Sequence, residues 1–228
     1  MQQVIIILGM HRSGTSCLAG TIEKTGIYFG NVSQHNTFNL KGNRENNQII
    51  KLNNDVLAYN NGNWDNPPYK VEWPLSLKKQ RDEIIEQHFP TLTWGFKDPR
   101  TLLTLDGWLE VLKNVTFVAT YRHPSHVAQS LWQRDNFPLE KSLKLWKIYN
   151  EKLLAYYEKY HFPLISFDLP PKDYAEKINQ LLKQLNINAE NSGAEFYDYE
   201  LRHHCDVPFY EIPENIMKIY EKLNRAAI

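Results

Sequence analysis

At 228 residues the chain has the length of one domain with room for an irregular insert, and it can bury a substantial core. Its 26 basic residues balance 26 acidic ones, which excludes a global field that would draw it to nucleic acid or an anionic membrane; any anion site must be built locally. The two cysteines, Cys17 and Cys205, make neither a disulfide framework nor a paired metal motif and fit a reducing compartment, with a bond between them left open.

Along the chain, residues 4–8 form a continuous apolar run ended by Gly9, the pattern of a central parallel strand buried on both faces. The run is too short for a signal peptide or a spanning helix and has no basic leader, so a soluble cytoplasmic protein without a membrane span is expected. Helical spacing follows through Cys17, Leu18 and Ile22, with Gly26 as the stop. Residues 31–44 are rich in Asn and Gly and read as a loop, after which Ile49, Ile50, Leu52, Val56 and Leu57 mark a helix. The stretch 59–74, dense in Asn, Pro and Trp, reads as an irregular insert or lid. An exposed helix is expected over 76–89, a short strand ending near Phe96 and Lys97, and a helix over 105–112. A strong strand over Val115–Tyr121 comes next, then a helix from Pro124 to about Asp135 and a long helix over 139–160. A buried strand over 163–167 and a helix over 174–185 follow, and the last forty residues show no clear pattern. Alternating strands and helices predict one α/β domain over 1–228, a three-layer α/β/α arrangement around a mainly parallel sheet of the P-loop nucleotide-binding type.

The loop Gly9-Met10-His11-Arg12-Ser13-Gly14-Thr15-Ser16 joins the first strand to the first helix. Two glycines five apart let the backbone curl so that several N–H groups point inward, and the helix that opens near Gly14 adds its positive end. Thr15 and Ser16 add hydroxyls and Arg12 a guanidinium. A nucleoside triphosphatase would carry lysine where this chain has Thr15, and would handle the highly charged terminal phosphoryl with that lysine and a metal ion. A sulfuryl group carries less charge, so one cation and backbone donors suffice, and the sequence points away from ATP and towards a phosphosulfate. A purely structural glycine turn is the bland reading. A second anion site is expected where the strand ending at Tyr121 meets Arg122-His123-Pro124, because ligands of open α/β sheets gather at the carboxyl ends of strands. Ser130, two turns into the following helix, can face the same crevice; otherwise the pair is a surface arginine and a helix serine.

These two segments together, Gly9 to Ser16 and Arg122 to Ser130, resemble the sulfotransferases that use 3′-phosphoadenosine 5′-phosphosulfate (PAPS), above all the bacterial members of that superfamily. Gly95-Phe96-Lys97-Asp98-Pro99-Arg100 and Leu164-Ile165-Ser166-Phe167-Asp168-Leu169 resemble further strand ends of the family, and 196–204 a C-terminal segment. The resemblance implies that His11, Arg12, Ser13, Gly14, Thr15 and Ser16 hold the 5′-phosphosulfate, that Arg122 and Ser130 hold the 3′-phosphate, and that Arg202 lies near the adenine or the 3′-phosphate. It also implies PAPS as donor, adenosine 3′,5′-bisphosphate (PAP) as product and no metal. The cytosolic branch has lysine where this chain has Arg12; arginine has no readily transferable proton and is expected to stabilise charge on the bridging oxygen.

A base must take the acceptor's proton as the new bond forms. Glu45 is the first candidate, at the expected opening of the second helix, where several branches of the family place a catalytic glutamate; a carboxylate there is otherwise just a good helix start. Asp98 and His35 follow. Asp98 is alternatively an ion-pair partner of Arg100 or Arg12, and Lys97 and Arg100 either orient the sulfuryl group or are structural. His203-His204-Cys205 lacks the spacing of a zinc site. Trp64, Tyr69 and Trp73 either cover an acceptor or anchor their loop. The expected activity is sulfuryl transfer by in-line displacement to a hydroxyl on a small-molecule, carbohydrate or lipid acceptor. A kinase-like phosphotransferase and a non-catalytic PAP-binding module are the alternatives.

Overall fold

The computed structural model describes residues 2–35, 41–87, 91–187 and 211–228. Four strands, β1 (Gln3–Leu8), β2 (Thr93–Lys97), β3 (Val115–Tyr121) and β4 (Leu164–Ser166), pair in the order β2-β1-β3-β4, all parallel. The register sets Ile7 beside Lys97, Leu8 beside Ala119, and Tyr121 beside Ser166. The four carboxyl ends therefore share one edge, and each feeds a loop.

Successive side chains of a strand face opposite ways, and β1 uses this to serve two cores. Ile5 and Ile7 pack with α1 (Thr15–Lys24) and α7 (Pro171–Gln184) through Leu18, Ile22, Ile178 and Leu181. Val4, Ile6 and Leu8 face the opposite layer of α2 (Asn47–Tyr59), α3 (Leu75–Glu86), α4 (Thr101–Leu109), α5 (Pro124–Asp135), α6 (Leu139–Tyr160) and α8 (Glu214–Ala226). The arrangement is the expected three-layer α/β/α with a parallel sheet. No helix among the described residues is long and apolar enough to cross a membrane.

Three elements differ from their sequence expectation. Helix α4 starts four residues early, because Asp98 turns the chain after Pro99: its carbonyl accepts the Thr101 N–H at 2.9 Å and its Oδ1 the Arg100 N–H at 3.2 Å. The C-terminal stretch, for which sequence reading named no element, holds α8, whose Ile216, Ile219 and Leu223 close the second core. Helix α2 opens at Asn47 with Asn46 as its cap, the Asn46 side chain accepting the Gln48 N–H at 2.9 Å, so Glu45 stands one residue before the cap and not in the first turn. Of the stretch 59–74, Tyr59 belongs to α2 and residues 60–74 contain no helix or strand; two of its aromatics are moored, Trp73 donating to the Thr104 carbonyl at 3.2 Å and Trp64 packing on His11 and Phe137.

Asn53 ties this layer together. Its fully buried amide donates to Asp98 Oδ2 at 2.8 Å and Thr101 Oγ1 at 3.2 Å, and accepts from Thr104 Oγ1 at 2.8 Å and Trp108 Nε1 at 3.0 Å. One side chain thereby joins α2, the end of β2 and α4. Asn53→Leu leaves those buried partners unsatisfied and is expected to cost about 3 kcal/mol, a fall in Tm of roughly 10 °C in a thermal melt.

Candidate functional site

The loop between β1 and α1 lies tight against its neighbours. A Cβ on Gly9, at φ 149°, would stand 2.5 Å from the Thr120 carbonyl oxygen, and one on Gly14, at φ 83°, would enter the Phe167 ring. Only glycine meets both demands. Gly14 is the N-cap of α1 and the cap carries no side-chain hydrogen bond, which leaves the first N–H groups of the helix for an anion. Ser13 Oγ and His11 Nε2 are buried without a hydrogen-bond partner.

Arg12 also has a left-handed backbone, φ 66°, which costs a residue with a Cβ about 1–2 kcal/mol. The conformation carries its side chain away from the loop's mouth to α5, where Nε donates to Ser130 Oγ at 2.7 Å. Arg122, at the end of β3, brings Nη1 to 3.5 Å from the Arg12 carbonyl. Its guanidinium carbon sits 5.5 Å from the centre of the Phe167 ring, and its Nε lies 3.5 Å from Asp168 Oδ1. Residues 118 positions apart in sequence thus meet: Arg12, Arg122 and Ser130 form one group at the strand ends. Burial, then the charges of Arg134 and Arg122, lower the Arg12 pKa to about 10, so it stays cationic at neutral pH in a place where positive charge is crowded. A multivalent anion would relieve that crowding.

On the other side of the loop the charges are balanced. Lys97, at the end of β2 with its side chain only 1% exposed, lies 3.2 Å from Ser16 Oγ and 2.5 Å from Glu45 Oε1. Arg100 contacts Asp98 Oδ1 at 2.7 Å and approaches Glu45 Oε2 at 3.8 Å. Burial acts to lower the Arg100 pKa, but Asp98 and Glu45 outweigh it and raise it above the usual value. Two cations and two carboxylates form a dry, fixed set of dipoles, the kind of environment that stabilises charge as it develops. His11 stands between the halves, its ring 4.5 Å from Trp64 and 5.9 Å from Tyr149. Burial first, then Arg100, Arg134, Lys97 and Arg12, push its pKa well down and keep the imidazole neutral.

The structure therefore brings the expected residues into two neighbouring groups with some changes of place. Arg12 joins Ser130 on the Arg122 side, where the expectation set it at the bridging oxygen. The lysine missing at Thr15 has a counterpart in Lys97, delivered to Ser16 from the adjacent strand. Asp98 is held by Arg100 and Asn53, the ion-pair alternative of the sequence reading. His35 is exposed, its carbonyl accepting from Ser33 Oγ at 3.2 Å. Tyr69 is fully exposed, whereas Trp64 and Trp73 are anchors. Arg202 and the His203-His204-Cys205 run lie outside the described residues. Among those described, no group of three or more His, Cys, Asp or Glu side chains is placed to hold a metal ion. Sequence reading passed over Phe167 and Asp168 as site residues; their position just beyond the end of β4 was the signal.

No family model matches the chain, and no curated protein matches it. Solved structures do. The sulfotransferase domain from the Synechococcus PCC 7002 olefin synthase superposes with a TM-score of 0.62 at 14% identity, covering 98% of this chain and 94% of that one. The sulfotransferase STF1 from Mycobacterium tuberculosis H37Rv gives a TM-score of 0.50 at 13% identity, over 98% of this chain and 76% of its own. By these superpositions the chain has the fold of bacterial sulfotransferase domains.

Proposed function

We propose that the protein transfers the sulfuryl group of PAPS to a hydroxyl acceptor. The observation that carries this reading is the meeting of Arg12, Arg122 and Ser130 beside a glycine-loop helix start with no side-chain cap, which we read as two anion sites lying side by side. A donor with phosphate-like groups at its 5′ and 3′ positions matches such a pair better than one that is charged at the 5′ end alone. The unsatisfied Ser13 Oγ and the bare N-terminus of α1 suit the 5′-phosphosulfate, with His11, Thr15 and Ser16 around it. Arg122, Ser130 and Arg12 suit the 3′-phosphate, with Arg202 assigned to the same end by resemblance.

PAPS supplies an activated sulfuryl group. The acceptor oxygen attacks its sulfur while the bond from sulfur to the 5′-phosphate oxygen breaks, and PAP leaves. Glu45 takes the hydroxyl proton, through Oε2, the oxygen that Lys97 does not hold. Lys97 supplies the cation beside Ser16 that Thr15 cannot, and Asp98 fixes Arg100 against Glu45 so that the carboxylate keeps its place. The acceptor class is a hydroxyl-bearing small molecule, carbohydrate or lipid, and residues 31–44 and 60–74 are the segments that would select it.

Calorimetric titration is the test. PAP is expected to bind more tightly than AMP, with no requirement for magnesium, and Arg122→Ala to weaken PAP about 30-fold while AMP changes about threefold or less. Preference for ATP with magnesium would overturn the reading in favour of phosphoryl transfer. Glu45→Gln is expected to lower kcat for sulfuryl transfer about a hundredfold or more with PAP affinity held within about threefold. A glutamine variant with parental turnover removes Glu45 from the mechanism.

A further inference from the structure

Asp168 presents a puzzle within the anion site. A carboxylate beside a phosphate-binding arginine repels the phosphate, yet this one is built in firmly. Its Oδ2 accepts the His123 N–H at 2.5 Å, its Oδ1 lies 2.6 Å from His126 Nδ1 and 3.5 Å from Arg122 Nε, and its own N–H donates to Ser166 Oγ at 3.2 Å. Three groups from the β3 end and α5 therefore converge on its side chain, and the β4 end holds its backbone. Burial pushes its carboxyl pKa upward, but the His126 ring, the His123 N–H and Arg122 outweigh burial and hold it below the ordinary value. The group is an anion at neutral pH.

Arg122 is restrained on several sides. Its backbone carbonyl accepts from Trp146 Nε1 at 2.9 Å, the Phe167 ring lies beside its guanidinium carbon, and Asp168 faces Nε. A guanidinium is planar, so a carboxylate on the Nε side fixes the plane and leaves Nη1, which lies on the side away from the Nε–H, facing in the opposite direction. Nη1 approaches the Arg12 carbonyl there, and the Arg12 side chain in turn reaches Ser130 Oγ. We infer that Asp168 is a positioning residue that orients the Arg122 guanidinium towards a nucleotide 3′-phosphate. The inference rests on the proposed donor assignment and adds to it the element that converts a cation into a fork aimed at one position.

Repulsion and positioning predict opposite signs when the charge is removed, which makes the inference testable by PAP and AMP titrations of the parent protein, Asp168→Asn, Arg122→Ala and the double variant. Positioning predicts that Asp168→Asn weakens PAP about tenfold while AMP stays within about twofold, and that the same change in the Arg122→Ala background shifts PAP about twofold or less. Tighter or unchanged PAP binding by Asp168→Asn overturns the inference, and so does an equal loss for PAP and AMP, the mark of a merely structural role. If the asparagine variant does not fold, Asp168→Glu keeps the charge but moves the carboxylate. A PAP-selective loss there supports positioning, and undiminished PAP selectivity overturns it. A parent protein without preference for PAP over AMP overturns the donor assignment itself and the inference with it, whereas a PAP-selective parent with an indifferent Asp168→Asn sinks the inference alone.

Discussion

Phe167 rests on the Cα of Gly14 and the Thr120 carbonyl on that of Gly9, and this close packing of backbone against its neighbours decides where every other group of the site stands. It pins the loop between the ends of β3 and β4, so that the start of α1 points its free N–H groups at the same edge where Arg122 emerges. Because the loop is gripped on both sides, the left-handed turn at Arg12 is over-determined by its surroundings, and its side chain is sent across to Ser130 and not out to solvent. Parallel pairing completes the effect. Parallel strands bring Lys97, Arg122 and Asp168 to one edge of the sheet in a stepped row, with Lys97 level with Val118 and Arg122 four residues further along β3.

The row divides by charge. Around Arg12, Arg122 and Arg134 positive charge is in excess: burial and the two neighbouring arginines make the Arg12 cation less favourable, with Asp168 beside Arg122 and Asp135 beside Arg134 as partial counter-charges. Around Lys97 and Arg100 each cation has a carboxylate within reach, and the ensemble is close to neutral. Under the proposed function, the first arrangement suits a multiply charged donor, whose binding would relieve that excess. The second does little for binding and instead keeps oriented dipoles in a dry place, which lowers the reorganisation needed when charge moves. His11 marks the boundary, neutral because burial and four cations act on it together.

Much of this was legible in the sequence, for reasons that differ between parts. The run at 4–8 and the strand Val115–Tyr121 were readable because a strand buried on both faces has no polar positions, and the helices α5 and α6 because proline starts and long periodic faces are local signals. The glycine loop was readable because two glycines five apart between a strand and a helix are a local signal, and both adopt positive φ. Helix α4 was placed too late because Thr101 and Thr104 look like surface residues until Asn53, some fifty positions away, is seen to bond them. Helix α8 has a pattern but no partner visible in the chain, since its apolar face is defined by α6 and β4. The change of place for Arg12 had no signal, because a positive φ in a residue with a Cβ follows from tertiary packing. Lys97 had a weak one: a lysine at the end of an apolar strand, whose importance depends on which loop lies next to it.

The Asn53 amide has a mechanical meaning beyond its contribution to stability. It rivets α2 to the end of β2 and to α4, so the backbone that leads out of Glu45 and the backbone that presents Lys97 belong to one rigid piece. The chain before Glu45 and the irregular stretch after α2 hang from that piece at either end. Such a frame separates tolerance from precision: changes of length or composition in the flanking segments would leave the spacing of the Lys97–Glu45 ion pair in place.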